Sequence, residues 1–206
     1  MFSFDDVNFL KGYEKRFGIL TPKLAKALVQ VLGFIEGDTR FSVNPTDRYK
    51  IAYVLATFKW ETAHTFEPID EYGGNTYFEK RYGYTTKVGK RLGNINEGDG
   101  AKFHGRGYVQ LTGRANYLKA SQAFGVDLIT NPDLAKQPQL AYNIAIEGMI
   151  KGAFTGKKLS QFFKPNQPPD YDRARSIING QDQHQKIADI ARRFDELLVV
   201  SLQVQI

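Results

Sequence analysis

The chain has 206 residues, no cysteine, and 28 Lys and Arg against 22 Asp and Glu, a net charge of +6. The missing cysteines exclude disulfides, thiolate catalysis and Cys-ligated zinc, and the length suits one domain, with room for two lobes and an ample core. The positive surplus favours anionic partners such as acidic glycans or cell-wall polymers. Its charges are dispersed, and the densest run, residues 87–91, reads as a solvated loop, so no nucleic-acid partner is expected.

The opening run MFSFDDVNFLKGYEKRFG has early acids and no apolar core, which reads as no signal peptide. No apolar run approaches the 18 residues of a membrane span. Thr21-Pro22 predicts a helix start, a capping hydroxyl before a first-turn proline. Leu24, Leu28, Val31, Leu32 and Ile35 follow at helical spacing, and Gly37-Asp38 ends the helix. Asn44-Pro45 opens a second helix whose apolar stripe (Ile51, Ala52, Val54, Leu55, Phe58) runs toward Glu61.

Residues 66–107 lack periodicity, but their Tyr and Phe content argues for an ordered, functional insertion rather than disorder. Order returns at Tyr108. Asn131-Pro132-Asp133 predicts a turn, residues 138–152 a helix, and residues 165–169 a loop. Asn179-Gly180 breaks the chain before a last helix carrying Ile187, Ile190, Ala191, Phe194, Leu197 and Leu198. The tail LLVVSLQVQI reads as a helix end plus a packed extended segment. The expected class is mainly α, with one long loop-rich insertion and room for a short β-hairpin.

Two stretches carry chemistry. In "KWETAH" (residues 59–64), Trp60 stands where a zinc protease helix needs its first histidine, and the chain has three histidines in all. No metal or other cofactor is expected. P-loop, dinucleotide and Gly-x-Ser-x-Gly patterns are also missing. Carboxylates remain: Glu61 at a helix end beside Trp60, then Glu67, Asp70, Glu71 and Glu79. Glycoside hydrolysis needs two carboxyl groups flanking one bond, one of them kept protonated by apolar surroundings. The alternative is that these acids solvate a turn. In "FHGRGYVQLTGRANY" (residues 103–117), Tyr108, Gln110 and Thr112 alternate and would share one side of an extended segment. Thr112 and Asn116 would stack on a helix beginning near Thr112. Together they predict an uncharged hydrogen-bonding wall with an aromatic platform for sugar rings; the alternative is a glycine turn with a polar helix start.

That run resembles the signature of the family 19 chitinase and lysozyme-like glycoside hydrolases, closest to their phage endolysin branch. "FKWETAHTFEPIDEYGG", "NPDLA" and "RARSIINGQ" resemble further segments of the same branch, in the same order. The likeness covers roughly residues 45–195 as a glycoside hydrolase core, with residues 1–40 as a leading helical segment of one catalytic domain spanning 1–206. It implies a lysozyme-like, two-lobed α-helical domain. It implies Glu61 as general acid and Glu71 as general base, with Asp70 and Glu79 as alternative bases because the spacing departs by one residue. Thr112 would help hold the attacking water, and Gln110, Asn116, Asn179 and Arg193 would bind substrate, with Tyr108 in the sugar-facing wall. His64 reads as a partly exposed helix-end residue; the alternative is a contact to the sugar or to a residue that touches it. The implied activity is inverting hydrolysis of peptidoglycan glycan strands; the alternatives are a chitinase acting on N-acetylglucosamine polymers and a catalytically silent glycan-binding module. The endolysin reading also implies a monomer, synthesis in a host cytoplasm and holin-dependent release to the cell wall.

Overall fold

The computed structural model of the chain describes residues 2–204, with Val204 described by its backbone alone. In chain order, strand β1 (Phe2–Phe4) leads into α1 (Asp6–Phe17), α2 (Pro22–Glu36) and α3 (Pro45–Glu61). Strand β2 (Ile69–Asp70), helices α4 (Asn75–Tyr82), α5 (Lys87–Arg91) and α6 (Asp99–Lys102), strand β3 (Arg106–Gly107) and α7 (Arg114–Phe124) follow. Then come a 3-10 turn at Pro132–Lys136, α8 (Pro138–Lys151), α9 (Leu159–Phe162), α10 (Tyr171–Ala174), a 3-10 turn at Arg175–Ile177, α11 (His184–Ser201) and β4 (Leu202–Val204). The architecture is mainly α, as the sequence predicts. It divides into two compact units: residues up to Phe66 together with those from Ala145 on, and Glu67–Ile144.

The first unit is built on α3. Asn44 caps it by accepting from the Asp47 amide, and Pro45 occupies its first turn. From Ile51 through Lys59 every residue is buried. A helix enclosed on all sides is core by construction. Helix α11 packs against α3 through Ile187, Ala188, Ala191, Phe194, Leu197 and Leu198. The Phe194 ring meets Phe17 at 4.7 Å, Tyr13 at 6.1 Å and Phe66 at 6.2 Å between centroids. Each such aromatic contributes about 1.5–3 kcal/mol by leaving water. Strands β1 and β4 pair antiparallel, Phe2 opposite Val204 and Phe4 opposite Leu202. The tail is thus a helix end followed by an extended segment as far as Val204; Gln205 and Ile206, part of the same reading, lie outside the described residues.

In the second unit, Phe103, Leu111, Tyr117, Ala120, Leu128, Ala135, Leu140 and Ile144 form one buried cluster. The stretch read as irregular holds three short helices, α4 to α6. At four to eight residues each, they are too brief for apolar periodicity to register. The long segment is tied down by Asp99, which is 2% exposed. Its carboxylate accepts from the Ile95 amide at 2.8 Å, the Asn96 amide at 3.0 Å and the Arg114 guanidinium at 2.6 and 2.7 Å. Burial alone would push this carboxyl up, but the Arg114 hydrogen bonds and the two amides hold it below the usual carboxylate range.

Asp99→Asn should therefore destabilise the fold by about 3–5 kcal/mol at pH 7, the usual cost of stripping one partner from a buried ion pair. Urea denaturation checks it. Because the folded-state pKa is depressed, the Asp99 contribution is complete above the unfolded value of about 3.9 and is lost as pH falls below it. The wild type should lose its advantage over the variant in that acid window.

The Tyr108–Gln110 stretch corrects the extended-segment prediction. Arg106 and Leu111 exchange backbone hydrogen bonds at 3.2 and 2.8 Å, closing a tight turn over the four residues between them. Gln110 sits at φ +56° and Gly107 at φ +90°. A Cβ on Gly107 would also press to 3.0 Å from the Ala135 carbonyl oxygen, so both shape and space require glycine there. The predicted sheet feature takes the form of two-residue strands, with Ile69 opposite Gly107 and Asp70 opposite Arg106, closed by a bridge between Arg106 and Leu111.

Candidate active site

In the first unit, Glu61 is the last residue of α3. Thr62 ends the helix: its hydroxyl donates to the Phe58 carbonyl and accepts from the Phe66 amide. The turn beyond is strained, with Ala63, His64 and Phe66 all at positive φ. Glu61 is partly buried, and its Oε1 is ion-paired to Nη1 of Arg175. Arg175 is 3% exposed, and its Nε donates to the Asp182 carbonyl at 3.3 Å. Its Nη2 lies 3.6 Å from Oδ1 of Asp182. To the apolar surroundings expected of this acid the structure adds a buried guanidinium that orients it. Sequence reasoning passed over Arg175. An arginine directly after Ala174 and two residues before Ile177, in a short helical turn, was the available signal.

In the second unit, Glu71 is gripped at three points. Its amide donates to the Gly105 carbonyl at 2.8 Å. Its Oε1 accepts from the Tyr82 hydroxyl at 2.8 Å, and its Oε2 from the Gly105 amide at 3.2 Å. Gly105 is the hub. A Cβ there would fall 2.7 Å from Gln110 Oε1 and 3.2 Å from both Glu71 Oε2 and Thr112 Oγ1. Three predicted site residues therefore converge on a spot that only a missing side chain keeps open. The positive φ of Gln110 turns that residue out of an extended path, and its amide is steadied by the Ile69 and Gly107 carbonyls, each at 3.3 Å. The Thr112 hydroxyl donates to the Gln110 carbonyl at 2.8 Å, leaving its lone pairs open.

The other two acids considered as bases are committed elsewhere. Asp70 binds Lys136 at 2.6 Å, His104 at 3.1 Å and Arg106 at 3.2 Å. Burial would push its carboxyl up, but Lys136, His104 and Arg106 hold it below the usual range. Glu79 accepts from the Ala101 amide at 2.6 Å and so pins α6 to α4. Among the three, Glu71 is the carboxylate grouped with Thr112 and Gln110.

The remaining predicted positions divide. Asn116 is part-buried and donates to the Thr112 carbonyl at 2.8 Å, so it braces Thr112 through the backbone rather than by stacking beside it. Asn179 is exposed, its Oδ1 accepting from the Gly180 amide. Tyr108 is 0% exposed, so its ring is core and cannot be the platform for sugars. Arg193 donates to the Arg16 carbonyl at 3.2 Å and opens onto a cavity shared with Tyr13, Phe17 and Lys59, whereas the guanidinium on Glu61 is that of Arg175. His64 is exposed at the end of α3, as expected, and its ring meets Trp60 edge-on. Tyr82, which holds Glu71, was missed by sequence reasoning because one tyrosine among many in that segment carries no periodic signal. No group of three metal-ligating side chains occurs among the described residues.

Tyr82→Phe removes one hydrogen bond to a carboxylate, an interaction worth about 1.5–3 kcal/mol. If Glu71 acts on the attacking water, the variant should show kcat lower by about tenfold or more with little change in KM, read from steady-state hydrolysis of a soluble oligosaccharide.

The family profile of chitinase class I, glycoside hydrolase family 19, matches residues 31–158, more than half of the chain. The chain belongs to family 19. The matched span contains Glu61, Glu71, Gly105, Gln110, Thr112 and Asn116. Among curated relatives, the acidic 27 kDa endochitinase of Solanum lycopersicum is 33% identical over 131 residues, 54% of this chain and 52% of that protein. The acidic endochitinase of Petunia hybrida is 29% identical over 61% of this chain and 51% of its own length. The chain thus spans about half the length of these relatives. The fold is similar to that of chitinase C from Streptomyces griseus, with a TM-score of 0.63 at 20% identity over 95% of this chain and 76% of that one. These relatives are plant and bacterial chitinases, so the likeness read from residues 103–117 is matched at the level of the family.

Proposed function

We propose that this family 19 chain hydrolyses polymers of N-acetylglucosamine by inverting acid/base catalysis, with chitin as the substrate class. The observation that carries the proposal is the grouping of Glu71, Gln110 and Thr112 around Gly105 inside the family match. The naming of the relatives as endochitinases supports the choice of substrate.

In this mechanism Glu61, aimed by Arg175, takes up a proton on giving up that ion pair and donates it to the leaving glycosidic oxygen. Glu71 takes a proton from a water that also bonds to the Thr112 hydroxyl, and that water adds to the opposite face of the sugar. The Tyr82 hydroxyl and the Gly105 amide fix the Glu71 carboxylate so that little reorganisation accompanies proton transfer. Inverting glycosidases in general keep their acid and base carboxyl groups about 6.5–9.5 Å apart, leaving room for water. Each acid or base step contributes about 10²–10⁴-fold. Gln110 and Asn179 are assigned to substrate binding, and Asn116 to holding Thr112.

The deciding experiment incubates the protein with N-acetylglucosamine oligomers and reads the anomeric configuration of fresh products by proton NMR. Cleavage with inverted configuration is expected. Retained configuration would remove Glu71 from its role as base, and no cleavage at all would leave the silent glycan-binding reading in place.

Peptidoglycan is the second reading, favoured by the +6 net charge, which suits an anionic wall. It brings with it the endolysin role and holin-dependent release from a host cytoplasm. Efficient release of reducing ends from purified peptidoglycan, with chitin oligomers left intact, would put it first.

A further inference from the structure

Lys59 lies two residues before the end of α3 and is 8% exposed. No carboxylate lies within 4 Å of its ammonium among the described residues. The ammonium donates to the Tyr13 hydroxyl at 2.6 Å and sits 5.0 Å from the Tyr13 ring centroid and 5.1 Å from that of Phe17. An ammonium taken this far out of water without an anion is costly, and aromatic faces offset only part of that cost. The group opens onto a cavity of about 370 Å³.

The cavity walls carry no acidic residue. Arg193 adds a second cation, and Glu196 of the same helix lies 3.7 Å from Arg16. His64 closes one side; its amide is bound to the Lys59 carbonyl at 2.7 Å, and its backbone sits at φ +70°. Such strain in a non-glycine residue marks positions held for a purpose. The remaining surface is apolar: Phe17, Ile190 and Ile19, the last 86% exposed at the rim. A buried ammonium, an exposed guanidinium and hydrocarbon along one wall suit a ligand with an anionic head and an apolar chain.

We infer that this cavity is a second ligand site, separate from the glycan chemistry, for a monocarboxylate carrying a short apolar chain. The carboxylate pairs with Lys59 and Arg193, and the chain lies along Phe17, Ile190 and Ile19. The volume is at the small end of those that hold such molecules, about 300–1,000 Å³. Burial pushes the Lys59 ammonium down to about 8, so it is still charged at neutral pH, and burial together with the Lys59 charge holds His64 below its usual range, leaving it a neutral hydrogen-bonding group.

The test is calorimetric titration of the whole protein with octanoate, and with octanol as the uncharged control, at pH 7. Octanoate should bind about tenfold or more tighter than octanol, the gain of a charge-assisted hydrogen bond. Lys59→Met, which keeps the length of the side chain, should bring octanoate down to the level of octanol. Ile19→Glu, at an exposed position that folding does not need, should weaken octanoate by about fivefold or more through like-charge repulsion, and it carries the test alone if Lys59→Met fails to fold. Equal affinity for octanoate and octanol, or octanoate binding that both variants leave intact, overturns the inference.

Discussion

Glu61→Gln is expected to lower kcat on N-acetylglucosamine oligomers by about 10²–10⁴-fold while KM changes little. A carboxamide keeps an oxygen for Arg175 to grip, so α3 should end as before and the buried guanidinium keeps its Asp182 contacts. What disappears is the proton the leaving oxygen needs. Circular dichroism separates this outcome from misfolding. A folded variant with wild-type turnover would end the assignment of Glu61 as the acid.

Glu71→Gln should produce a loss of similar size, about 10²-fold or more, for a different reason. The carboxylate accepts two hydrogen bonds, from the Tyr82 hydroxyl and the Gly105 amide. A glutamine can present its oxygen to the amide, which can only donate, and its NH₂ to the tyrosine, whose hydroxyl can rotate and accept. The local geometry should survive, but the amide cannot take a proton from water. Asp70→Asn and Glu79→Gln are the matched comparisons. They disturb the Lys136–Arg106–His104 cluster and the α4–α6 tie, so stability should fall while kcat moves by roughly tenfold or less. A steady-state series of the three variants, alongside their urea midpoints, distinguishes the catalytic carboxylate from the structural ones.

How much of this was readable beforehand depends on the length scale of each signal. The Thr21-Pro22 and Asn44-Pro45 starts are local and chemical: a side chain accepts from the backbone and a proline is tolerated in the first turn. Both helices begin where those residues stand. The carboxylate pair was legible as residue types near a helix end, and the Phe103–Tyr117 run as a cluster of groups suited to sugars. The shape of that run was not legible. Alternation at Tyr108, Gln110 and Thr112 looks like a strand, whereas Gly107 and Gln110 at positive φ make a turn that sends Tyr108 into the core. Choosing among Asp70, Glu71 and Glu79 needed partners that lie 34 residues away in Gly105 and His104, and 66 away in Lys136. Arg175 was hidden for the same reason: its meaning comes from Glu61, 114 residues earlier.

Because Phe2–Phe4 and Leu202–Val204 zip together, neither extremity of the described chain can peel away without releasing the other. Deleting Phe2–Phe4 should loosen Leu202–Val204, and a protease working on either strand should find its work slowed by the other. The same adjacency lends itself to rewiring: a short flexible linker across that seam, with new ends opened at the exposed 165–168 loop, would give a permuted polypeptide in which α3 and its acid occupy the interior of the sequence on both sides.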